Sequence, residues 1–404
     1  MWRRTAHRAT IGGNRTRPVA APMPVRCGVG EEKIEIVGAG PAGLVCAIVL
    51  ARANRRVTVR EWHKDVGHRF HDDFQGLENW TGAQNVLDEL AEAGVAADFD
   101  HSGVTEGVVF DSRAKARRVQ GTRPLFYLLR RGNAAGTLDQ SLLAQARAAG
   151  VEVRFNDRVK AIEGRAVLAG GPRRADIIAV GHVFDTTMAD GAWLALGTEL
   201  APKGYAYLLV HGGRGTVASC IFTGFRDHAK YLAATVAYFE RHAGLHMQNA
   251  KAFGGFGNVR LPRTAMQGGN PVIGEHAGFQ DALAGFGLRY AMRSGRLAAQ
   301  SMISGTDYTK AWRQALQPDL RGGVVNRFLF NQTAPRVMDY LIGKLGSADT
   351  GDALGLAYRL SLPKRLLLPF ARFRYRTPLK DLSCSHFQCD CVWCQHGPHD
   401  PTDT

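Results

Sequence analysis

The sequence predicts an α/β protein organised around a Rossmann-like strand–turn–helix–strand unit. Ile34–Val37 is a short apolar run typical of a buried strand, and a glycine turn with the spacing G-x-G-x-x-G follows it. An apolar helix and a second strand come next. Further along the chain, Leu138–Ala149 has helical periodicity and precedes an alternating strand at Val151–Phe155. Helices that alternate with strands are typical of the α/β class.

The glycine turn predicts a site for a dinucleotide. In this spacing Gly38 permits the tight turn, Gly40 lets the backbone approach a pyrophosphate, and Gly43 lets the next helix pack closely on the strand. Pro41 and Ala42 lie between the last two glycines, at the start of the helix. The free N–H groups and the positive dipole end of a helix N-terminus favour an anion.

The rest of the unit has the expected order. The helix is predicted over Ala42–Ala53 and the second strand over Arg56–Arg60. Glu61 ends that strand 18 residues after Gly43, where an acceptor for a ribose hydroxyl is expected. The whole unit therefore predicts a bound dinucleotide. The alternative is that the glycines only make a tight turn.

Composition and charge fit a globular protein with a basic arm. The chain has 404 residues, a formal net charge of +15 and no apolar run long enough to span a membrane. No nucleic-acid module is recognisable, so we expect a cytoplasmic protein without a nucleic-acid partner. Residues 1–31 are predicted to be a disordered basic arm. Either this arm is a targeting segment, or translation begins at Met23.

The remaining chain is predicted to mix loops, helices and strands. The polar segment 63–81 is predicted as a loop, and 107–129 as a region of strands. Further predicted helices are Ala83–Ala93, His228–His242 and a long helix from about Gly287. Further predicted strands are Ala175–Val180, Tyr205–Val210 and Thr216–Phe222.

Three segments carry a resemblance to a known family. They are "GAGPAGL" with Glu61 after the second strand, "RRGNAAGTLDQSLLAQARAAGVEV", and "VIGEHAGFQDALAGFGLRYAMRSGRLAA". Together they span roughly residues 33–303. The chain resembles the FAD-dependent geranylgeranyl reductase family, within the larger group that also holds the aromatic hydroxylases. In that family the third segment lines the ribityl chain and the flavin ring, which implies FAD rather than NAD.

The resemblance implies further cofactor-binding residues. Glu275, where the family usually has Asp, would accept hydrogen bonds from ribityl or ribose hydroxyls. Arg131, or its neighbour Arg130, would approach the flavin side of the pyrophosphate. The N-terminus of the long helix would approach the isoalloxazine ring, and the residues before it are Gly285, Phe286 and Gly287.

The family's domain organisation is implied as well. A discontinuous Rossmann-like FAD-binding domain would carry an inserted antiparallel sheet, which covers the flavin and forms the substrate cavity. The implied FAD-binding domain comprises 32–75, 122–190 and 259–305, and the cap sheet comprises 76–121 and 191–258. A helical C-terminal region, 306–382, and a Cys-rich tail, 383–404, complete the chain.

Two tyrosines are candidate substrate contacts. The segment "APKGYAYLLV" takes the place of the family's Pro-x-x-Tyr-x-Trp segment, so that Tyr205 matches the Tyr and Tyr207 replaces the Trp. Both alternate to one face of a predicted strand and would line an apolar tunnel. The alternative is that both are ordinary sheet-core aromatics.

A proton donor is also needed, because a flavin supplies hydride while the protein places the substrate. Candidates in the loop over the flavin are His68, His71, Asp72 and Asp73. His71 and Asp72 are retained as catalytic candidates, together with His211, which ends a strand beside a glycine turn. The archaeal prenyl reductases carry a Cys in this loop, and this sequence has none between Cys46 and Cys220.

The C-terminal tail predicts a metal site. Four cysteines lie within 11 residues: Cys384, Cys389, Cys391 and Cys394. Such closely spaced thiolates suit Zn or an iron–sulfur cluster that relays electrons to FAD, and the alternative is a disordered reactive tail. Before the tail, Leu360–Lys380 mixes apolar and basic residues. It either rests on an anionic membrane surface or packs against the FAD-binding domain.

These observations favour an FAD-dependent oxidoreductase that transfers hydride at flavin N5 and acts on a hydrophobic substrate such as an isoprenoid lipid. NAD(P)H and ferredoxin are both open as electron donors, and an electron-donor protein is a candidate partner. Three alternatives stay open: a monooxygenase that uses NAD(P)H and oxygen, a non-redox cyclase or isomerase, and a flavin–metal electron carrier.

Overall fold

The computed structural model describes residues 33–162, 164–172, 175–259, 261–333, 335–346 and 349–374. The predicted metal ligands of the tail and the whole predicted basic arm, 1–31, lie outside these ranges. The strands are β1 (Ile34–Val37), β2 (Val57–Arg60), β3 (Phe74–Glu78), β4 (His101–Val104), β5 (Glu106–Phe110), β6 (Ala116–Gln120), β7 (Phe126–Arg130), β8 (Glu152–Arg154), β9 (Ala166–Leu168), β10 (Ile177–Asp185), β11 (Gly191–Ala195), β12 (Tyr205–His211), β13 (Arg214–Ile221), β14 (Gln248–Gly257), β15 (Met266–Gln267) and β16 (Asn270–Pro271).

The α-helices alternate with these strands in the first part of the chain and then follow one another to its end. They are α1 (Pro41–Arg52), α2 (Val86–Glu92), α3 (Leu138–Ala148), α4 (His228–Ala243), α5 (Leu288–Ser304), α6 (Tyr308–Ala315), α7 (Gln317–Gln332), α8 (Pro335–Leu345), α9 (Thr350–Tyr358) and α10 (Leu362–Arg374). Within the described ranges, no helix is long and apolar enough to cross a membrane.

The predicted strand–turn–helix–strand unit forms the centre of a parallel sheet. Its four strands lie in the order β8-β2-β1-β9, and every neighbouring pair is parallel. The helix α1 is apolar on all sides, and its Leu44, Val45 and Ile48 are fully buried. Such a helix is stable only when other elements cover it, and here α5 packs against it from the far end of the chain. The mixed α/β fold is therefore confirmed.

A larger sheet forms the second layer. Its seven strands lie in the order β14-β10-β13-β12-β11-β5-β6, and its pairs are antiparallel except for β11 with β5. The helix α4 packs on it through β13. The predicted domain boundary at residue 190 divides this sheet, because β10 pairs with β13 and β14. The strand β10 thus belongs to the seven-stranded sheet and not to the parallel sheet that carries the glycine turn.

A third sheet corrects the prediction of a loop over 63–81. The strand β3 lies in this segment and pairs with β7, which in turn pairs with β4. The sequence of β3, FQGLE, has no clear alternation, and its partner β7 lies far along the chain. The strand therefore forms because of tertiary pairing and burial rather than local pattern.

The predicted helical C-terminal region is present, and its helices pack on the core. Trp312 of α6 is fully buried and packs against Phe279, so this region is continuous with the core around α1. Arg327 of α7 is also buried. Its guanidinium donates to the carbonyl oxygens of Ala282 and Lys203 at 2.8 and 2.5 Å. The helix α7 therefore supports the loop that leads into α5.

Candidate functional site

The three glycines of the turn differ in what surrounds them. A Cβ atom on Gly38 would lie 2.5 Å from the carbonyl oxygen of Ala169, and one on Gly43 would lie 2.1 Å from that of Gly38. A Cβ atom on Gly40 would meet nothing within 4 Å among the described residues. Packing of the chain thus requires Gly38 and Gly43 but not Gly40. Close approach of a ligand to the backbone would explain a glycine at this place in the motif.

The N-terminus of α1 is suited to an anion. Gly40 is its N-cap, Pro41 opens its first turn, and within the described chain no side chain caps it. Its first N–H groups and the positive end of its dipole therefore face the space beside Gly40. Glu61 lies at the edge of that space, where its carboxylate accepts the N–H groups of Ala39 and His63 at 2.8 and 2.9 Å.

The downstream motif meets this turn in space. A Cβ atom on Gly274 would lie 2.8 Å from that of Ala42, and the Gly274 N–H donates to Ser294 Oγ of α5 at 2.8 Å. Gly274 opens a 3-10 turn, Gly274–Ala277, that carries Glu275. The Glu275 carboxylate accepts from the Arg69 guanidinium at 2.8 Å. Segments far apart in the sequence thus meet at the start of α1.

A braced turn precedes α5. Gly287 is the N-cap of α5, and within the described chain no side chain caps this helix. The buried Asp281 accepts the N–H groups of Leu283 and Ala284 at 3.1 and 2.6 Å, and the Tyr358 hydroxyl donates to it at 2.8 Å. Burial raises the pKa of the Asp281 carboxyl.

Aromatic side chains lie around this turn. The ring of Phe286 packs edge-on against Trp80, with centroids 4.9 Å apart. The Tyr205 hydroxyl donates to the Ala284 carbonyl at 2.5 Å, just before Gly285. The cap sheet therefore reaches the turn through β12. An aromatic wall beside an uncapped helix N-terminus is suited to a flat, electron-rich ring system.

The candidate substrate tyrosines are half-buried on β12. Their ring centroids are 6.2 Å apart. Tyr207 packs against the apolar cluster of Phe74, Leu128 and Leu209, while Tyr205 packs beside Ile177, Cys220 and Phe222. Burial raises the pKa of both hydroxyls, so both stay protonated at neutral pH.

Arg131 is paired within the chain. Its guanidinium donates to both carboxylate oxygens of Asp139 at 2.8 Å and lies over the ring of Phe70, 4.0 Å from its centroid. Asp139 also accepts the Gly132 N–H at 3.0 Å. Arg131 therefore fixes the loop and the start of α3. The alternative candidate, Arg130, pairs with Asp72 and Asp100 at 2.6 Å.

The three catalytic candidates have different partners in the structure. Asp72 forms ion pairs with Arg130 and Arg214, so its charge is neutralised by two guanidinium groups. His71 is exposed, with its ring 6.5 Å from that of Phe253. His211 lies at an exposed hairpin and pairs with Asp190 at 2.7 Å. Arg214 is the strand partner of His211, so Asp72 contacts the hairpin that carries His211.

Asp73 is a stronger candidate than its neighbour. It is buried, accepts the His71 N–H at 3.0 Å and accepts from the Gln75 side chain at 2.9 Å. Burial raises the pKa of its carboxyl, which favours a protonated acid. The sequence does not indicate which of the two adjacent aspartates, Asp72 or Asp73, turns inward. The contact of Arg69 with Glu275 gives no signal in the sequence either, because the two residues are 206 positions apart.

The predicted metal ligands cannot be placed. Among the described residues, no group of three or more His, Cys, Asp and Glu side chains could hold a metal ion. The four tail cysteines lie outside those residues.

Comparisons with known proteins agree with this geometry. A family model for the NAD(P)-binding Rossmann-like domain matches residues 36–89, which include the glycine turn and Glu61. A search of curated protein sequences gave no match.

Solved structures have the same fold at low sequence identity. A geranylgeranyl bacteriochlorophyll reductase-like protein from Thermoplasma acidophilum is 17% identical with a TM-score of 0.66, over 84% of this chain and 99% of that one. A p-nitrophenol 4-monooxygenase from Pseudomonas putida is 14% identical with a TM-score of 0.57, over 86% and 100%. A triple mutant of a flavin-dependent brominase is 16% identical with a TM-score of 0.57, over 85% and 99%.

Proposed function

We propose that the chain is an FAD-dependent oxidoreductase that acts on a hydrophobic substrate such as an isoprenoid lipid. The observation that carries this proposal is Gly40, a glycine that the packing of the chain does not require, at an uncapped helix N-terminus. The shared fold supports the choice of flavin, because the solved structures with this fold include flavin-dependent proteins.

The residues present fit FAD. The N-terminus of α1 and the open space at Gly40 would hold the pyrophosphate, and Glu61 would accept from the adenosine ribose. Glu275 would accept from ribityl hydroxyls in place of its contact with Arg69. The start of α5, at Gly287, would stabilise negative charge on the ring. When bound, the flavin supplies hydride transfer at its N5 position.

The chain's own side chains would select the substrate and supply a proton. Tyr205, Tyr207 and Phe286 offer an apolar aromatic surface that excludes water. Asp73 would hold the proton, since a buried carboxyl stays protonated at a higher pH than an exposed one. Asp72 would keep the loop in place through its two arginines.

Replacing Gly40 tests the cofactor assignment. We expect Gly40→Val to fold normally and to purify without FAD, because its side chain enters space that the chain leaves open. Gly343→Val is the matched control, since Gly343 also has open space around its Cβ position but lies on α8. It should keep its flavin. The readouts are flavin absorbance per chain and melting temperature, and a folded Gly40→Val protein with full FAD would contradict the assignment.

An anaerobic assay tests the reaction. With a reduced donor and a prenyl lipid, we expect the lipid to oxidise the bound reduced flavin in the absence of oxygen. Mass spectrometry then identifies the lipid product. A monooxygenase would instead require oxygen and NAD(P)H for any product. A cyclase or isomerase would form product without net consumption of reducing equivalents. Either of these results would replace the reductase proposal while leaving the FAD assignment intact.

The tail cysteines support a second, separate proposal of bound metal. Closely spaced thiolates repel each other unless a cation neutralises them. We expect about one Zn or one iron–sulfur cluster per chain, lost in Cys391→Ser/Cys394→Ser while FAD stays bound. Metal analysis and visible spectra of protein prepared anaerobically decide this. Metal-free protein with four titratable tail thiols would rule the site out, and survival of activity after metal loss would exclude an electron relay.

A further inference from the structure

The helix α10 presents an apolar stripe to solvent. Leu362, Leu366, Phe370 and Phe373 are 74%, 77%, 68% and 73% exposed. At 3.6 residues per turn, these four positions fall within an arc of about 80° on the helix. Scattered exposed apolar residues are normal, but a continuous stripe of large side chains marks an interaction surface.

The opposite face of α10 holds the helix in place. Ala371 is buried with Val324 and Val325 of α7, and Leu367 and Leu368 pack against the same cluster. Lys364 donates to the Asn326 side chain at 2.7 Å, also on α7. The stripe is therefore the outer side of a docked helix.

Positive charge borders the stripe on one side. Arg365 and Arg372 are exposed, and the helical repeat places both of them along the same edge of the stripe. Burial, and then the positive charges of Arg372 and Arg313, lower the pKa of Arg321 on α7. The sequence from Ala353 to Arg374 contains no Asp or Glu. The helix α10 and the segment just before it therefore contribute no negative charge to this surface, which favours an anionic partner.

We propose that α10 binds an anionic membrane surface, with its apolar stripe among the acyl chains and Arg365 and Arg372 at the lipid phosphates. The helix has 13 residues and contains Pro369, so it would lie in the interface rather than cross the bilayer. The positive charge favours a membrane over a second copy of this chain as the partner of α10, since a symmetric dimer contact would bring two sets of arginines together.

The same cluster connects the surface to the candidate site. Ala282, in the loop before Gly285, packs with Val324, Val325 and Ala371. A lipid-bound α10 would thus lie one layer from the turn that would hold the flavin. The proposal concerns lipid binding alone and stands without the proposed reaction.

Vesicle flotation of the full chain tests the proposal. We expect binding to phosphatidylcholine vesicles that contain about 30 mol% phosphatidylglycerol, and little binding to vesicles of phosphatidylcholine alone. Leu366→Ser/Phe370→Ser and Arg365→Gln/Arg372→Gln should each weaken binding at least about ten-fold. Added salt should weaken binding through the arginine contribution.

A matched control uses exposed apolar residues on another helix. Tyr340→Ser/Leu341→Ser changes α8, which packs against β6 rather than α7, and should leave vesicle binding unchanged. All variants replace exposed side chains, so melting temperatures should stay close to that of the parent. Equal binding to both vesicle types, no effect of the α10 variants, or a dimer in sedimentation velocity that Leu366→Ser/Phe370→Ser dissolves would each overturn the proposal.

Discussion

Two adjacent aspartates illustrate how position decides chemistry at the scale of single residues. Asp72 forms ion pairs with two arginines, whereas Asp73 turns inward, where burial raises the pKa of its carboxyl. A raised pKa favours the protonated form of a carboxyl, which is the form that can donate a proton.

Replacing Asp73 tests its role as a proton donor. In FAD-loaded enzyme we expect Asp73→Asn to lower turnover by about 100-fold or more and to remove the decline of activity as pH rises through the Asp73 pKa. Asn mimics the protonated carboxyl, so FAD content and melting temperature should be preserved. Asp72→Asn is the comparison. It should lower the melting temperature but retain the parent's pH profile, and an unchanged pH profile in Asp73→Asn would exclude the donor role.

We expect Asp319 of α7 to make the free energy of unfolding depend on pH. Burial raises its pKa from 3.8 to about 6, partly opposed by the charge of Arg293. Because the folded-state pKa is the higher one, its contribution to stability is complete below pH 3.8 and is lost as pH rises through about 6. Asp319→Asn should flatten this slope and raise the free energy of unfolding at pH 7 by at most about 3 kcal/mol. Urea unfolding at pH 4.5 and 7 measures it, with exposed Asp98→Asn as the control; equal slopes would contradict the assignment.

At the scale of elements, the site depends on helices that contribute no cofactor contact of their own. Arg327 of α7 and Tyr358 of α9 hold the loop before α5 through the Ala282 carbonyl and the Asp281 carboxylate. The guanidinium also lies over the ring of Phe222, 3.6 Å from its centroid. The C-terminal helices therefore act as the support of the turn at Gly285.

Arg327→Met tests this support. Methionine keeps most of the apolar volume but leaves buried carbonyl oxygens without a donor, so we expect a loss of about 3 kcal/mol or more in unfolding free energy. FAD affinity should fall as well, although Arg327 lies outside the predicted cofactor contacts. Arg313→Met removes a donor to the exposed Arg263 carbonyl and should cost less than about 1 kcal/mol. Similar losses in both variants would show that the loop is not the sensitive element.

At the scale of the whole molecule, local patterns were predicted and distant pairings were not. Continuous hydrophobic periodicity runs through the unit from β1 to β2, the helix α3 and the helix α5. Such a pattern predicts a strand or a helix from a short stretch of sequence alone. The strand β3 and the boundary at β10 depend on partners far along the chain, so their sequences carry little signal. The same holds for the candidate site. The glycine spacing is a local pattern and could be predicted, whereas the burial of Asp73 and the contact of Arg69 with Glu275 depend on tertiary structure.

The contacts that hold the loop before α5 imply an order of events during synthesis of the chain. During synthesis, Gly38–Gly43 leaves the ribosome early, but Asp281 receives the hydroxyl of Tyr358 only after 76 further residues have been made between them. A nascent chain that ends before Arg327 contains both glycine motifs and neither support. Cofactor capture would therefore be a late step of biogenesis, and truncated chains would accumulate without flavin however complete their dinucleotide motif.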